Sequence, residues 1–178
     1  MAIEIRKAHA KEVADLAALI SASVRGLAKG FYSDEQIEHS IRTVFGIDHQ
    51  LIEDGTYFVA EISGKIAGCG GWSKRKTLFG ASVYEGRDSG FLDPDSEPAK
   101  IRAFFVHPDM ARRGVGSLIL ERCEDEARSF GFHSAEMMAT LPGVPLYEVR
   151  GYRKIAPQNI PIGDGVEIEC IVMRKDLV

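Results

Sequence analysis

The chain has 178 residues, of which 45% are hydrophobic and 27% are charged, as is ordinary for one globular domain with a sizeable core. Its formal net charge of −4 argues against a general nucleic-acid-binding protein. Three scattered cysteines, Cys69, Cys123 and Cys170, do not predict a disulfide framework or a zinc site. Because no apolar run is long enough to cross a membrane and no signal pattern is visible, we expect a reduced, cytoplasmic protein without a membrane partner.

The N-terminal part predicts one strand and two helices. Residues 3–6 alternate between apolar and polar side chains, which is typical of a strand with one buried face. The apolar residues that follow recur at helical spacing until Gly26 and Gly30, which are expected to end this helix. Ser33 followed by Gln36 is typical of a helix cap and predicts the start of a second helix.

A hairpin and a long connection are predicted next. Two strand-like runs, 56–62 and 65–72, flank Ser63 and Gly64, which favour a tight turn. Three closely spaced glycines follow: Gly68, Gly70 and Gly71. Because no helix starts after them, they indicate closely packed strand residues rather than a phosphate loop. Residues 73–100 either rim a functional site or form a solvated connection.

The stretch 101–120 carries the clearest chemical signal. Residues 101–106 are rich in β-branched and aromatic side chains and predict a strand, which Pro108 stops. A glycine-rich turn then opens a long helix, whose free N–H groups and dipole favour an anion. Arg112 and Arg113 add positive charge and guanidinium forks that suit phosphate oxygens. The turn is therefore predicted to bind a pyrophosphate.

Two other phosphate-binding motifs do not fit this turn. A Rossmann fingerprint requires a glycine where this chain has Ile119, and a P-loop requires a lysine that is absent here. An enzyme acting on nucleotide phosphates is also a poor interpretation, because no metal-binding carboxylate accompanies the turn.

The remaining chain predicts a crossover and two closing strands. The helix after the turn has one apolar stripe and is expected to end at Gly131. The stripe comprises Val115, Ile119, Cys123, Ala127 and Phe130, whereas Glu124 lies off it. Residues 133–138 predict a strand parallel to the one before the turn, because a helix connects the two. A short helix at 146–150 and strands at 152–156 and 166–174 complete the chain.

Two segments, in this order, resemble motifs of the GNAT superfamily of N-acetyltransferases. Segment 111–116 reads ARRGVG and is similar to the family's coenzyme A loop, Gln/Arg-x-x-Gly-x-Gly/Ala. Segment 146–152 reads LYEVRGY and is similar to the family's Phe/Leu-Tyr-x-x-x-Gly-Phe/Tyr. The chain departs from the family at Ala111, where glutamine or arginine is usual, and at Thr140, where asparagine is frequent.

The resemblance implies one α/β (mixed α+β) domain over residues 1–178. The expected GNAT-like fold has a central mixed, mostly antiparallel sheet of six to seven strands, flanked by about four helices. The implied activity is direct transfer of an acetyl group from acetyl-CoA, the co-substrate, to a primary amine of a small molecule or a protein. No metal is expected. Homodimers are common for such folds, and the sequence does not decide the oligomeric state.

The resemblance also assigns roles to individual residues. Main-chain groups of Phe104, Phe105 and Val106 would pair with the pantetheine arm, and an N–H group near Val106 would stabilise the oxyanion. Tyr147 would be the general acid that protonates the departing thiolate. The residues expected to hold the pyrophosphate are Arg112, Arg113, Gly114, Val115, Gly116 and Ser117.

The sequence leaves alternatives to these catalytic roles. Tyr147 could instead pack the short helix. His107 could act as a base or proton relay, or it could be a hydrogen-bonded surface group. No general base is assigned, because a water chain could serve as well as any of the carboxylates expected near the acceptor. Those carboxylates are Glu61, Glu85, Asp95 and Glu97.

The acceptor side and the activity itself also admit a second interpretation. The loop between the first two helices either walls the acceptor pocket or is an exposed connection. Its residues are Arg25, Lys29, Phe31 and Tyr32. The departures at Ala111 and Thr140 keep open the alternative of a non-catalytic module that binds acyl-CoA or docks to a protein.

Overall fold

A seven-stranded sheet with the order β1-β2-β3-β4-β5-β7-β6 organises the molecule. The computed structural model describes residues 1–82, 84 and 87–178. The strands are β1 (Glu4–Lys7), β2 (Tyr57–Ile62), β3 (Lys65–Ser73), β4 (Ala99–Val106), β5 (Ser134–Thr140), β6 (Arg153–Pro161) and β7 (Glu167–Asp176). All neighbours pair antiparallel except β4 and β5. The predicted mixed, mostly antiparallel sheet is therefore confirmed.

Five α-helices of the described chain cover the two faces of the sheet. They are α1 (Val13–Leu27), α2 (Asp34–Thr43), α3 (His49–Glu53), α4 (Val115–Ser129) and α5 (Val144–Val149). Apolar residues of α4 and α5 form a core on one face, and those of α1, α2 and α3 form a second core on the other. The short α3 is one helix more than the sequence predicted. No helix in the described ranges is long and apolar enough to cross a membrane.

The N-terminal helices confirm one expectation and correct another. The Ser33 hydroxyl accepts a hydrogen bond from the Gln36 N–H at 3.1 Å, and Gln36 Oε1 accepts one from the Ser33 N–H, which is the predicted cap of α2. The expectation that Gly26 ends α1 is wrong, because the helix continues to Leu27. A Cβ atom at Gly26 would lie 2.3 Å from Pro108 Cγ. The absence of a side chain at Gly26 therefore leaves room for the turn after β4 to pack against α1.

The hairpin glycines also serve close packing, as predicted. Ser63 and Gly64 both have positive φ angles, as a tight two-residue turn requires. A Cβ atom at Gly68 would lie 2.7 Å from Val115, and one at Gly70 would lie 2.7 Å from the ring of Phe104. The missing side chains let α4 and the Phe104 ring approach the sheet closely.

A bulge in β4 interrupts the middle of the sheet. Opposite the step from Cys69 to Gly71, β4 contains one extra residue, and Ala103 adopts a φ of 56°. β4 and β5 pair only at Ala99 with Ala135 and at Lys100 with Glu136. Beyond these pairs the two strands diverge, which leaves a gap in the sheet.

Two features of α4 differ from the predicted stripe. Phe130 is 54% exposed, and its ring contacts Trp72 edge to face instead of entering the core. Glu124, expected off the stripe, is buried, because its carboxylate pairs with Lys175 Nζ at 2.8 Å. A charged partner thus allows an acidic residue on the sheet side of the helix.

Candidate active site

A cavity of about 750 Å³ lies at the gap between β4 and β5 and is lined by elements from both sheet faces. The start of α4 and α5 line it from one face, whereas α1 and the segments 31–32 and 44–46 line it from the other. Residues 78–81, which belong to the long connection between β3 and β4, also line the cavity. The cavity therefore links the two faces of the sheet through the gap.

One end of the cavity lies at the N-terminus of α4. Gly114 precedes the helix with a φ of 86°, and no side chain caps it. The N–H groups of Val115, Gly116 and Ser117 have no acceptor within the described residues. Free N–H groups and the positive end of the helix dipole suit an anion. This end of the cavity can therefore bind a phosphate group.

The two arginines of the turn are placed differently. Arg112 lines the cavity, and its φ of 66° reverses the chain before the helix. Arg113 is exposed and does not belong to the lining, and its guanidinium contacts Met110 Sδ at 3.7 Å. Of the other residues predicted to contact the cofactor, all line the cavity: Phe104, Phe105, Val106, Gly114, Val115, Gly116 and Ser117.

Helix α5 places Tyr147 at this cavity. The helix can lie close to α4, because a Cβ atom at Gly116 would come within 2.8 Å of Leu146 Cδ2. The Tyr147 ring packs edge to face against Phe104 at 6.3 Å and Tyr152 at 6.1 Å between centroids. Its hydroxyl has no hydrogen-bond partner among the described residues. Burial raises the pKa of Tyr147 above that of a free tyrosine, so the hydroxyl carries its proton at neutral pH.

The backbone of β4 presents the Val106 N–H group to the cavity side. The His107 N–H donates to the Ala67 carbonyl of β3, so the neighbouring N–H of Val106 points the other way. It donates to Ser23 Oγ at 3.2 Å, and Ser23 is buried on α1 at the cavity. Sequence reasoning missed Ser23, because a serine on an apolar helix face gives no signal of a contact 83 residues away.

A buried tyrosine holds the bulge in place. The Tyr57 hydroxyl donates to the Ala103 carbonyl at 3.1 Å and lies 3.1 Å from Cys69 Sγ. Because Tyr57 is 1% exposed and packed on all sides, it fixes the strained Ala103 conformation. The direction of the β4 backbone at the gap depends on this contact.

The wall on the α1 side is mainly apolar. Its principal side chains are Val24, Leu27, Phe31, Tyr32, Phe45 and Phe79. The Tyr32 hydroxyl donates to the Glu169 carbonyl at 2.6 Å and accepts from the Leu141 N–H at 3.0 Å, which fixes the loop after α1. Of the four residues singled out from the sequence, Phe31 and Tyr32 line the cavity, whereas Arg25 and Lys29 do not. Arg25 pairs with Glu38 at the surface.

Among the described lining residues, Arg102 and Arg112 carry the only formal charges. Arg102 is buried, and its Nη2 donates to the Asp48 carboxylate and, at 3.0 Å, to the Gly80 carbonyl. Arg87 approaches the same carboxylate at 3.3 Å. Burial lowers the pKa of Arg102 to about 10, although Asp48 acts in the opposite direction, so the guanidinium remains charged at neutral pH. Sequence reasoning missed both Arg102 and Asp48.

The carboxylates considered as general bases do not face this cavity where they are described. Glu61 pairs with Arg6 at 2.8 Å, and Asp95 and Glu97 belong to a turn before β4. The expectation that these three face the acceptor is wrong, and Glu85 lies outside the described residues. His107 accepts the Asp109 N–H on Nδ1, caps a short turn and does not line the cavity.

The chain is similar to known acetyltransferases in sequence and in fold. Residues 22–152 match the model of the Acetyltransferase (GNAT) family. A GCN5-related N-acetyltransferase from Rhodopseudomonas palustris superposes with a TM-score of 0.74 at 19% identity, over 99% of this chain and 96% of the other. PaiA N-acetyltransferase from Thermoplasma acidophilum, solved in complex with coenzyme A, gives 0.68 at 16% identity, over 99% of both chains.

A third solved structure is yncA from Salmonella typhimurium with its cofactor acetyl-CoA, which superposes with a TM-score of 0.65 at 16% identity, over 100% of this chain and 95% of the other. No curated protein matches the chain significantly. At these identities the structural likenesses show a shared fold.

Proposed function

Because the chain belongs to the GNAT acetyltransferase family, we propose that it transfers an acetyl group from acetyl-CoA to a primary amine. The observation that carries the proposal is one cavity that contains both the unpartnered N–H groups at the start of α4 and the Tyr147 hydroxyl. Similar folds solved with coenzyme A and with acetyl-CoA support the choice of co-substrate.

The residues along the cavity suit the parts of that co-substrate. The N–H groups from Arg112 to Ser117 would bind the pyrophosphate, and the Arg112 guanidinium would add charge. The inner edge of β4, which lacks a strand partner after Lys100, would pair with the pantetheine amides. Acetyl-CoA supplies the acetyl group as a thioester, which an amine attacks with release of the thiolate.

Two groups of this chain would stabilise the reaction. The Val106 N–H, which Ser23 Oγ holds in the structure, would donate to the thioester oxygen as negative charge develops on it. The Tyr147 hydroxyl would donate its proton to the departing sulfur. We assign no general base, because no carboxylate of the described chain lines the cavity, and water in the cavity can accept the proton of the amine.

Calorimetric titration of acetyl-CoA tests the proposed binding mode. The wild type, Arg112→Ala, Arg113→Ala and the double variant should be compared. Micromolar binding should weaken about tenfold in Arg112→Ala, which loses a charge at the cavity, and less in Arg113→Ala. The absence of heat with the wild type would overturn the proposal.

A release assay for free thiol separates catalysis from binding. With a panel of amines, thiol release that depends on the amine would support acetyl transfer. Clear acetyl-CoA binding without release for any amine would favour the alternative of a non-catalytic acyl-CoA-binding module.

A further inference from the structure

On the side of α1, the cavity has an apolar wall whose side chains remain accessible. This apolar wall comprises Leu27, Phe31, Phe45, Leu78 and Phe79. Phe31 is 51% exposed, and the other members are half-buried. A ligand in the cavity can therefore cover their surface. Contact with apolar side chains is the usual source of affinity in small-molecule sites, and each buried methylene group contributes to it.

Neighbouring residues hold the rings of the apolar wall in place. The Phe45 ring packs edge to face against Phe105 of β4, with 5.9 Å between the centroids. The Phe79 ring packs against Tyr84 at 5.3 Å, and the Tyr84 hydroxyl donates to the Pro161 carbonyl at 3.3 Å. Contacts within the chain thus fix these rings, so an apolar ligand meets a preformed surface.

The polar side chains described on this side of the cavity are engaged within the protein. The Tyr32 hydroxyl donates one hydrogen bond to the main chain and accepts another from it. The Arg102 side chain is 1% exposed and cannot reach a ligand. Ser23 accepts the Val106 N–H at the proposed oxyanion site. The described side chains therefore offer the body of an acceptor apolar contact rather than hydrogen bonds.

Helix α1 connects the apolar wall to the proposed reaction centre. Ser23, whose Oγ accepts the Val106 N–H, and Leu27 lie one turn apart on the same face of α1, about 6 Å along the helix axis. Phe31 follows in the turn after the helix, where its N–H donates to the Ala28 carbonyl at 3.1 Å. The apolar wall thus runs from the reaction centre to an exposed ring, a length that suits a butyl chain or a phenyl ring.

We propose that the acceptor is a small primary amine with an apolar body, an alkyl chain or an aromatic ring, which lies on the apolar wall. The amine nitrogen forms the new C–N bond as the thioester C–S bond breaks, its proton passes to water, and the sulfur takes the Tyr147 proton. The inference rests on the proposed acetyl transfer for the role of the amine as acceptor. The apolar binding site itself depends only on the wall.

A series of straight-chain amines tests this proposal. The members from ethylamine to hexylamine have nearly equal basicity and differ in apolar length. Each is assayed for acetylation with acetyl-CoA, and each is titrated into the wild type with coenzyme A present. We expect kcat/KM and affinity to rise about threefold per methylene, and therefore about tenfold from ethylamine to butylamine. Phenethylamine should match or exceed butylamine.

Charged tails provide the comparison within the ligands. Pentylamine is compared with two analogues in which an ammonium or a carboxylate group replaces the terminal methyl group. Both analogues should bind about tenfold or more weakly than pentylamine, because their charge would lose water against an apolar surface.

Two variants attribute the preference to the apolar wall. Phe31→Ala removes a ring that lines the cavity, so the ratio of kcat/KM between phenethylamine and ethylamine should fall about fivefold while coenzyme A binding persists. Phe130→Ala is the matched control, because the Phe130 ring is similarly exposed, at 54%, and does not line the cavity. This control should keep the wild-type ratio.

The outcomes separate this inference from the proposed function. Binding that tightens with chain length and weakens in Phe31→Ala, without acetylation of any amine, would retain the apolar site and refute acetyl transfer. A flat response to chain length, a preference for a charged tail, acetylation of peptide N-termini alone or the same change of ratio in both variants would overturn the apolar site, even if some amine is acetylated. The absence of binding by every amine of the series would overturn it as well.

Discussion

At the scale of single residues, the Tyr147 hydroxyl is the group on which the proposed chemistry depends most. We expect Tyr147→Phe to lower kcat about 100-fold or more, since a positioned general acid contributes at least that factor. The KM for acetyl-CoA should change little, because the variant keeps the ring contacts with Phe104 and Tyr152. Steady-state kinetics with a thiol-release assay measure both values.

Tyr152→Phe provides the matched control for this prediction. Tyr152 is a buried neighbour of Tyr147 and does not line the cavity, so removal of its oxygen should leave kcat close to the wild-type value. A loss of acetyl-CoA affinity in Tyr147→Phe with unchanged kcat would refute the role of Tyr147 as the acid.

The residues of the candidate site differ in how well the sequence reveals them. Gly116 and Tyr147 are identifiable because they belong to short sequence motifs that resemble those of the family. Ser23 and Arg102 are not, because their roles come from contacts with Val106 and Asp48, far away in the sequence. A local pattern holds no information about such pairs until the strands and helices are assembled.

At the scale of elements, the contact between α1 and the turn after β4 illustrates the same difference. Glycine in a helical pattern favours a break on propensity alone, yet α1 continues through Gly26. The reason is the close approach of Pro108, which leaves no room for a side chain. Local propensity therefore predicted the wrong end of α1, whereas the capped start of α2 was predicted correctly.

This contact predicts an unusual effect of an alanine substitution. Gly26→Ala should lower the free energy of unfolding by about 1–2 kcal/mol, because the clash with Pro108 outweighs the gain in helix propensity. Urea unfolding of the wild type, both single variants and Gly26→Ala/Pro108→Ala measures the coupling. If Gly26→Ala is stabilising, or if its cost is the same with Pro108 replaced, the packing argument is wrong.

At the scale of the whole molecule, two parts of the sheet meet at very few positions. The part β1–β4 joins the part β5–β7 only through the two residue pairs at the start of β4. At this junction Glu136 of β5 accepts hydrogen bonds from Lys100 of β4 at 2.5 Å and from Arg174 of β7 at 2.8 Å. One carboxylate therefore connects three strands across the junction.

The protonation of Glu136 should appear in the acid stability of the molecule. Burial alone would raise the pKa of Glu136, but the hydrogen bonds from Lys100 and Arg174 outweigh it and hold the pKa below its usual 4.5. The ionised Glu136 carboxylate therefore stabilises the fold at pH values above 4.5, and this stabilisation is lost as the pH falls through the lowered pKa of Glu136. We expect Glu136→Gln to cost roughly 3 kcal/mol at pH 7, with the difference from the wild type shrinking towards pH 3.

Urea unfolding at both pH values measures this difference. Glu38→Gln is the control, because Glu38 pairs with Arg25 at the surface, and its replacement should change the stability little at either pH. The same deficit of Glu136→Gln at pH 7 and pH 3 would show that packing, and not charge, is lost.

The gap between β4 and β5 also bears on self-association. Unpaired strand edges are templates on which another chain can add a strand, and proteins usually shield them. The outer strand β6 carries Pro157 and Pro161, neither of which can donate a backbone hydrogen bond to an added strand. The edges of β4 and β5 that face each other across the gap need no proline, because α1 and α5 enclose them in a cavity. The molecule can thus keep two open edges for a small ligand without exposing them to aggregation.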